Sequence, residues 1–152
     1  MINPPSSLSF DYVVSACTCL SLRKATRVIT HHFDEILKPS GLLITQFTVL
    51  AAVARAREGT INELAEILIM DRTTLTRNLK PLVREGWLQI KIGRDQRTRV
   101  VSLTTQGEAA LERALPLWQK AQEEVVERLG DQRWSAFLAQ LAEVTGLMRH
   151  RI

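Results

Sequence analysis

Between Asp71 and Arg99 the chain gathers Arg72, Arg77, Lys80, Arg84, Lys91, Arg94, Arg97 and Arg99 against only Asp71, Glu85 and Asp95. This stretch carries a net charge of +5 where the whole chain carries +4, so everything outside it sums to −1. A solvated face usually mixes signs, whereas a short one-signed stretch attracts a polyanion. Two groups of side chains within it have the chemistry to read one. In the first, Leu75, Leu79, Leu82 and Val83 fall at i, i+4, i+7 and i+8 of a helix and turn inward, which leaves Arg72, Thr73, Thr76, Arg77 and Lys80 on the opposite face. Arg can bond two acceptors of guanine, Thr offers a hydroxyl and a methyl, and Lys reaches phosphate. In the second, Arg94, Asp95, Arg97 and Arg99 surround a tight turn. Arginine suits a narrow A·T-rich minor groove, and Asp95 can hold Arg97 in one rotamer through a charge-assisted bond.

Chemistry of other kinds is not encoded. The chain has no nucleophile–base–acid arrangement, metal-ligand quartet or phosphate-binding glycine loop, so neither an enzyme nor a cofactor is expected. Two cysteines two positions apart, Cys17 and Cys19, cannot staple a secreted scaffold, and a reducing cytoplasm is the expected location. No apolar run approaches the ~18 residues of a membrane span. Val14-Ser15-Ala16-Cys17 resembles a lipoprotein cleavage box, but no Lys or Arg precedes it and Asp11 interrupts the apolar stretch.

The elements that must carry the two basic groups follow from periodicity and caps. Residues 1–10 are turn-rich and read as a flexible arm, with one domain over 11–152. A first helix is expected from about Val13 to Leu37, ended by Pro39-Ser40-Gly41, and a second from a Thr45 cap to about Arg57. Thr60-Ile61-Asn62-Glu63 is a capping box opening a short helix. Only Ile69-Met70 separate that helix from Asp71, the cap of a fourth helix that stops at Gly86, so the two must cross steeply as a helix-turn-helix. Pro81 should bend the fourth helix after its groove-facing half. Leu88–Ile92 and Arg99–Leu103 alternate as a hairpin. Thr105-Gln106-Gly107-Glu108 is a second capping box, opening a long helix with Leu111, Leu115, Trp118, Val125 and Leu129 inward and a kink expected at Pro116. Gly130 and Asp131 start a last helix with Trp134, Phe137, Leu138, Leu141, Val144 and Met148 on its apolar face. The fold class expected is mainly α with a small β-hairpin wing: a winged helix-turn-helix over 45–104, flanked by dimerisation helices over 11–37 and 105–152. Three long amphipathic helices exceed what so small a winged unit can cover, which points to a second copy of the chain.

The run from Asp71 to Leu82, then Glu85-Gly86-Trp87-Leu88, then Asp95 to Gly107 resembles the MarR family of winged-helix regulators. Its most specific part is the Asp-x-Arg wing followed by Leu-Thr-x-x-Gly, and the likeness in element order spans about residues 15–150. The resemblance implies an obligate homodimer on a pseudo-palindromic double-stranded operator, usually as a repressor, with Arg97 in the minor groove oriented by Asp95. The implied DNA-binding set is Arg72, Thr73, Thr74, Thr76, Arg77, Lys80, Arg94, Asp95, Arg97 and Arg99. Members commonly bind a small aromatic or phenolic anion as inducer, a position that falls near Arg27, His31, Phe47 and Trp118, although each of these is also an ordinary core or surface residue of its helix. Cys19 falls where the organic-peroxide-sensing branch places its reactive thiol, but Arg23, Phe33 and Ile44 stand where that branch has tyrosines. An inert packed thiol, a redox or electrophile sensor and a soft-metal ligand all stay open for it. The rival reading of the whole chain is a winged-helix module whose basic face meets an acidic protein.

Overall fold

A computed structural model describes residues 9–93, 95 and 97–149. Helices α1 (Phe10–Ala16), α2 (Thr18–Leu37), α3 (Ile44–Ala56), α4 (Ile61–Leu68) and α5 (Arg72–Arg84) lead into a hairpin of β2 (Leu88–Ile92) and β3 (Arg99–Leu103), followed by α6 (Thr105–Leu129) and α7 (Asp131–Met148). A two-residue strand β1 (Gly59–Thr60) pairs antiparallel with β3, giving the sheet order β1-β3-β2. Strand β1 has no sequence signal of its own, because two residues carry no periodicity and only pairing with Val100 and Val101 makes them a strand. The mainly α architecture with a small wing agrees with the sequence reading.

The expected first helix is two. Cys17 takes an extended conformation (φ −72°, ψ 109°), donates its N–H to the Val13 carbonyl and accepts from the Leu20 N–H through Sγ at 3.4 Å. It therefore ends α1 and caps α2, within a Ser-Ala-Cys-Thr-Cys stretch whose small polar side chains compete for backbone partners. Ser9 and Phe10 belong to α1 rather than to an arm, since Ser9 Oγ accepts from the Tyr12 N–H. Two other caps shift by one or two positions. Helix α3 starts after Leu43, not at Thr45: Gln46 Oε1 accepts from the Leu43 N–H at 3.0 Å, and Asp34 of α2 accepts from the Ile44 N–H at 2.7 Å. A carboxylate supplied by another helix is a cap that no local pattern reveals. The cap of α6 is Thr104, whose Oγ1 accepts from the Gly107 N–H at 3.0 Å.

Both internal prolines are accommodated within continuous helices, Pro81 in α5 and Pro116 in α6. The carbonyl that Pro81 deprives of a donor belongs to Arg77, an exposed residue that water can serve.

The core lies inside the winged unit and the inner faces of α2 and α6. Leu37, Leu50, Leu64, Leu75, Leu82 and Val101 are fully buried within it. On α6 the buried line is not the expected large stripe but Ala110, Ala114 and Ala121, small residues that let α6 lie close to α2 and α3. Leu111, Trp118, Val125 and Leu129 are half-buried, and Leu115 is exposed. No single helix among the described residues is long and apolar enough to cross a membrane.

Candidate nucleic-acid interface

Helix α5 is fixed at both ends before any side chain reaches outward. Asp71 caps it, accepting from the Thr74 N–H at 2.8 Å and from the Thr74 hydroxyl, and these bonds hold its carboxyl below the usual value. Leu75, Leu79 and Leu82 anchor the inner face. Arg72, Thr73, Arg77 and Lys80 are exposed along the outer one. Thr74 and Thr76 are half-buried and differ from their neighbours: Thr74 spends its proton on Asp71, and Thr76 donates to the Arg72 carbonyl at 2.7 Å. Their oxygens keep acceptor capacity, but the freely directed donors of this face are Arg72, Arg77 and Lys80.

The preceding helix is held equally firmly. Thr60 and Glu63 exchange capping-box bonds of 2.8 and 3.2 Å, and the Thr60 N–H and hydroxyl hold the Glu63 carboxyl below its usual value. Ile69 then turns the chain through the left-handed region (φ 51°), an uncommon conformation for a β-branched residue, so that α5 can leave at a steep angle after three residues.

In the wing, Asp95 acts differently from the expectation. Its Oδ1 accepts from the backbone N–H of Arg97 at 3.0 Å, and its carbonyl accepts from the Thr98 N–H and hydroxyl at 2.9 and 2.8 Å. Among the described residues no ion pair joins Asp95 to the Arg97 guanidinium, so Asp95 shapes the turn and leaves the arginine head exposed. Arg99 donates to the Thr98 carbonyl at 3.4 Å. Arg94 lies outside the described residues. A small concavity brings Arg72 of α5 together with Arg97 and Arg99 of the wing, and with Thr60, Asn62 and Thr98, which the sequence reading did not select. Helix and wing thus form one basic surface rather than two separate ones.

The wing is tied to α6 by Leu103-Thr104-Thr105-Gln106-Gly107. Thr104 donates its hydroxyl to the Gly86 carbonyl, its N–H bonds the Trp87 carbonyl at 3.1 Å, and Gln106 donates to the Glu85 carbonyl at 3.2 Å. A Cβ on Gly107 would stand 2.0 Å from the Trp87 oxygen, so this position admits no side chain without a shift of backbone.

Comparison with known proteins places this arrangement. A sequence model of the MarR family matches residues 40–98. A helix-turn-helix-type transcriptional regulator of Bacillus cereus is 37% identical over 106 residues, covering 70% of this chain and 71% of its own. The chain belongs to the MarR family. Among solved structures, the M. tuberculosis transcriptional regulator MosR in complex with DNA is 40% identical with a TM-score of 0.73, covering 84% of this chain and 97% of its own. A mutant MarR from E. coli complexed with operator DNA is 27% identical with a TM-score of 0.80, covering 90% and 99%. As a MarR-family member the chain is a transcriptional regulator of helix-turn-helix type and not an enzyme.

The residues singled out for control of a MarR-family regulator are less united. Phe47 is buried and stacks on Trp118 with ring centroids 5.9 Å apart, while Arg27 and His31 are exposed on α2. The neighbour His32, passed over in the sequence, is the one that reaches α6: its Nε2 lies 3.3 Å from the Ala121 carbonyl and 3.7 Å from Glu124. Cys19 is exposed in the single chain described, and Cys17 is half-buried in the break between α1 and α2. No group of three or more His, Cys, Asp and Glu suited to a metal ion occurs among the described residues.

Proposed function

We propose that two copies of the chain bind a pseudo-palindromic operator as a homodimer, each setting Arg72–Lys80 of α5 into a major groove and Arg97 into the adjoining minor groove, and repress transcription until an inducer releases them. The observation that carries this reading is the exposed row of Arg72, Arg77 and Lys80 on α5, joined at Arg72 to Arg97 and Arg99 of the wing in one concavity and backed by the caps at Thr60, Asp71 and Thr104. Rigid presentation matters because groups already in place lose little freedom on binding. The complexes of MosR and MarR with DNA support the same assignment. The dimer rests on the apolar surface of α1, α2 and α7, where Phe10, Val28 and Leu147 are 91%, 69% and 70% exposed.

The inducer we infer is a small aromatic or phenolic anion held near Arg27, His31, Phe47 and Trp118, with Arg27 of α2 supplying the charge. Oxidation at Cys19 is a second reading, favoured by the exposure of that thiol in the first turn of α2. A binding titration tests the DNA assignment. The protein should retard its own promoter region specifically, and Arg97→Ala should weaken that complex by ~1–3 kcal/mol and lower its salt dependence. Unchanged affinity and salt slope would remove Arg97 from the interface. Absence of retardation by the unaltered protein at low salt would favour the protein-binding module instead.

A further inference from the structure

Building on the DNA-binding reading, we infer that the concavity between the wing and the start of α4 is a cradle for one phosphate of the DNA backbone, and that Asn62 is part of it. The cavity, about 40 Å³, is lined by Thr60, Asn62, Arg72, Arg97, Thr98 and Arg99 among others. It is far below the ~300 Å³ at which organic ligand sites begin, so an aromatic inducer or a nucleobase does not fit. A single phosphate seated at its open mouth needs far less room than either.

The charge points the same way. Three arginines from three elements (the first residue of α5, the wing turn and the first residue of β3) meet there, and no carboxylate lines the cavity among the described residues. The carboxylates close by in sequence are turned to other groups: Glu63 to the Thr60 N–H and hydroxyl at 2.8 Å each, Asp71 to Thr74, and Asp95 to the Arg97 N–H. Among the described residues no ion pair joins a carboxylate to Arg72 or Arg97. Guanidinium forks match phosphate oxygens in pairs, while Asn62 and Thr98 add neutral donors. The floor does not need to form on binding, because Thr60 is held both by the capping box and by its pairing with Val100. A phosphate seated here bridges the helix that reads the major groove and the wing that enters the minor groove. It sets the register of one against the other without reading sequence.

Asn62→Asp separates fold from binding. Asn62 is exposed at the second position of α4, where a carboxylate favours the helix N-terminus, so thermal stability should hold or rise. The same carboxylate fills the cradle with the wrong charge. Full-chain protein is titrated with an operator duplex and with an unrelated duplex across a range of salt concentrations. Expected is a loss of about tenfold or more at low salt, of equal size on both duplexes, with a salt slope reduced by about one. Affinities within about twofold of the unaltered protein, or a loss on the operator alone, would overturn the cradle. Inorganic phosphate forms the other arm. Stabilisation of the unaltered protein beyond an ionic-strength-matched chloride control, absent from Asn62→Asp, would assign the cavity to a free anion and overturn the backbone assignment. Failure of the unaltered protein to bind any DNA would sink the DNA reading itself, whereas DNA binding indifferent to Asn62→Asp sinks only the cradle.

Discussion

The winged unit and the helices that flank it solve opposite problems. From Thr60 to Gly107 the chain largely satisfies itself: its helices are capped by their own side chains, Leu64, Leu75, Leu79, Leu82 and Leu88 are buried, and its cations are left outward. In α1, α2 and α7 the order is reversed, since Phe10, Val28, Leu138 and Leu147 remain exposed in the single chain. A unit that presents charge to a ligand must be rigid alone, whereas a surface completed by another copy needs only shape and apolar area. The difference teaches which half can be altered without touching the other.

The largest effect should come from Gly107→Ala. A methyl group 2.0 Å from the Trp87 oxygen must displace the turn that joins α5, wing and α6, at a cost of about 3 kcal/mol in urea unfolding. A loss under about 0.5 kcal/mol would mean that the winged unit is less tightly self-determined than the contrast holds. Next comes the flanking half. Val28→Glu combined with Leu138→Glu replaces two exposed apolar residues and should convert the proposed dimer to monomers in sedimentation, while the winged core keeps its hydrogen-exchange protection. A dimer that survives both changes would place the second copy elsewhere.

The smallest effect concerns pH. Asp71 and Glu63 both have lowered folded-state pKa values, chiefly through the Thr74 hydroxyl and the Thr60 backbone N–H respectively. The unfolded chain therefore binds protons more readily, so the stability these caps contribute is complete above the ordinary carboxylate pKa of about 4 and disappears as pH falls through and below it. Asp71→Asn with Glu63→Gln keeps helix-compatible groups but lacks this titration. The gap in stability between the unaltered protein and the double variant should narrow from about pH 6 to about pH 3. A gap independent of pH would show that the caps act through shape alone.

Legibility in the sequence follows the same division. The capping box at Thr60, the Asp71 cap, the Leu75–Leu79–Leu82 face and the alternating wing were readable because each is written within a few residues and obeys one period. Cys17 was passed over as an interruption because it sits inside a run whose apolar spacing continues across it. The cap that Asp34 supplies to α3 is ten residues away, and the buried alanine line of α6 is the reverse of a hydrophobic stripe, meaningful only with α2 laid against it.

At the interface, the residue types and their facing were set by the sequence itself: Arg72, Arg77 and Lys80 opposite the leucines, and Arg97 beside Asp95 in a turn. Only the tertiary structure decided that Asp95 holds the backbone of Arg97 rather than its guanidinium, and that Arg72, Arg97, Arg99 and Asn62 share one concavity. The reason is geometric. Periodicity fixes which way a side chain points within its own helix or strand, but the distance between α4, α5 and the wing depends on how the β1–β3 pairing and the Thr104–Gly107 junction bring them together.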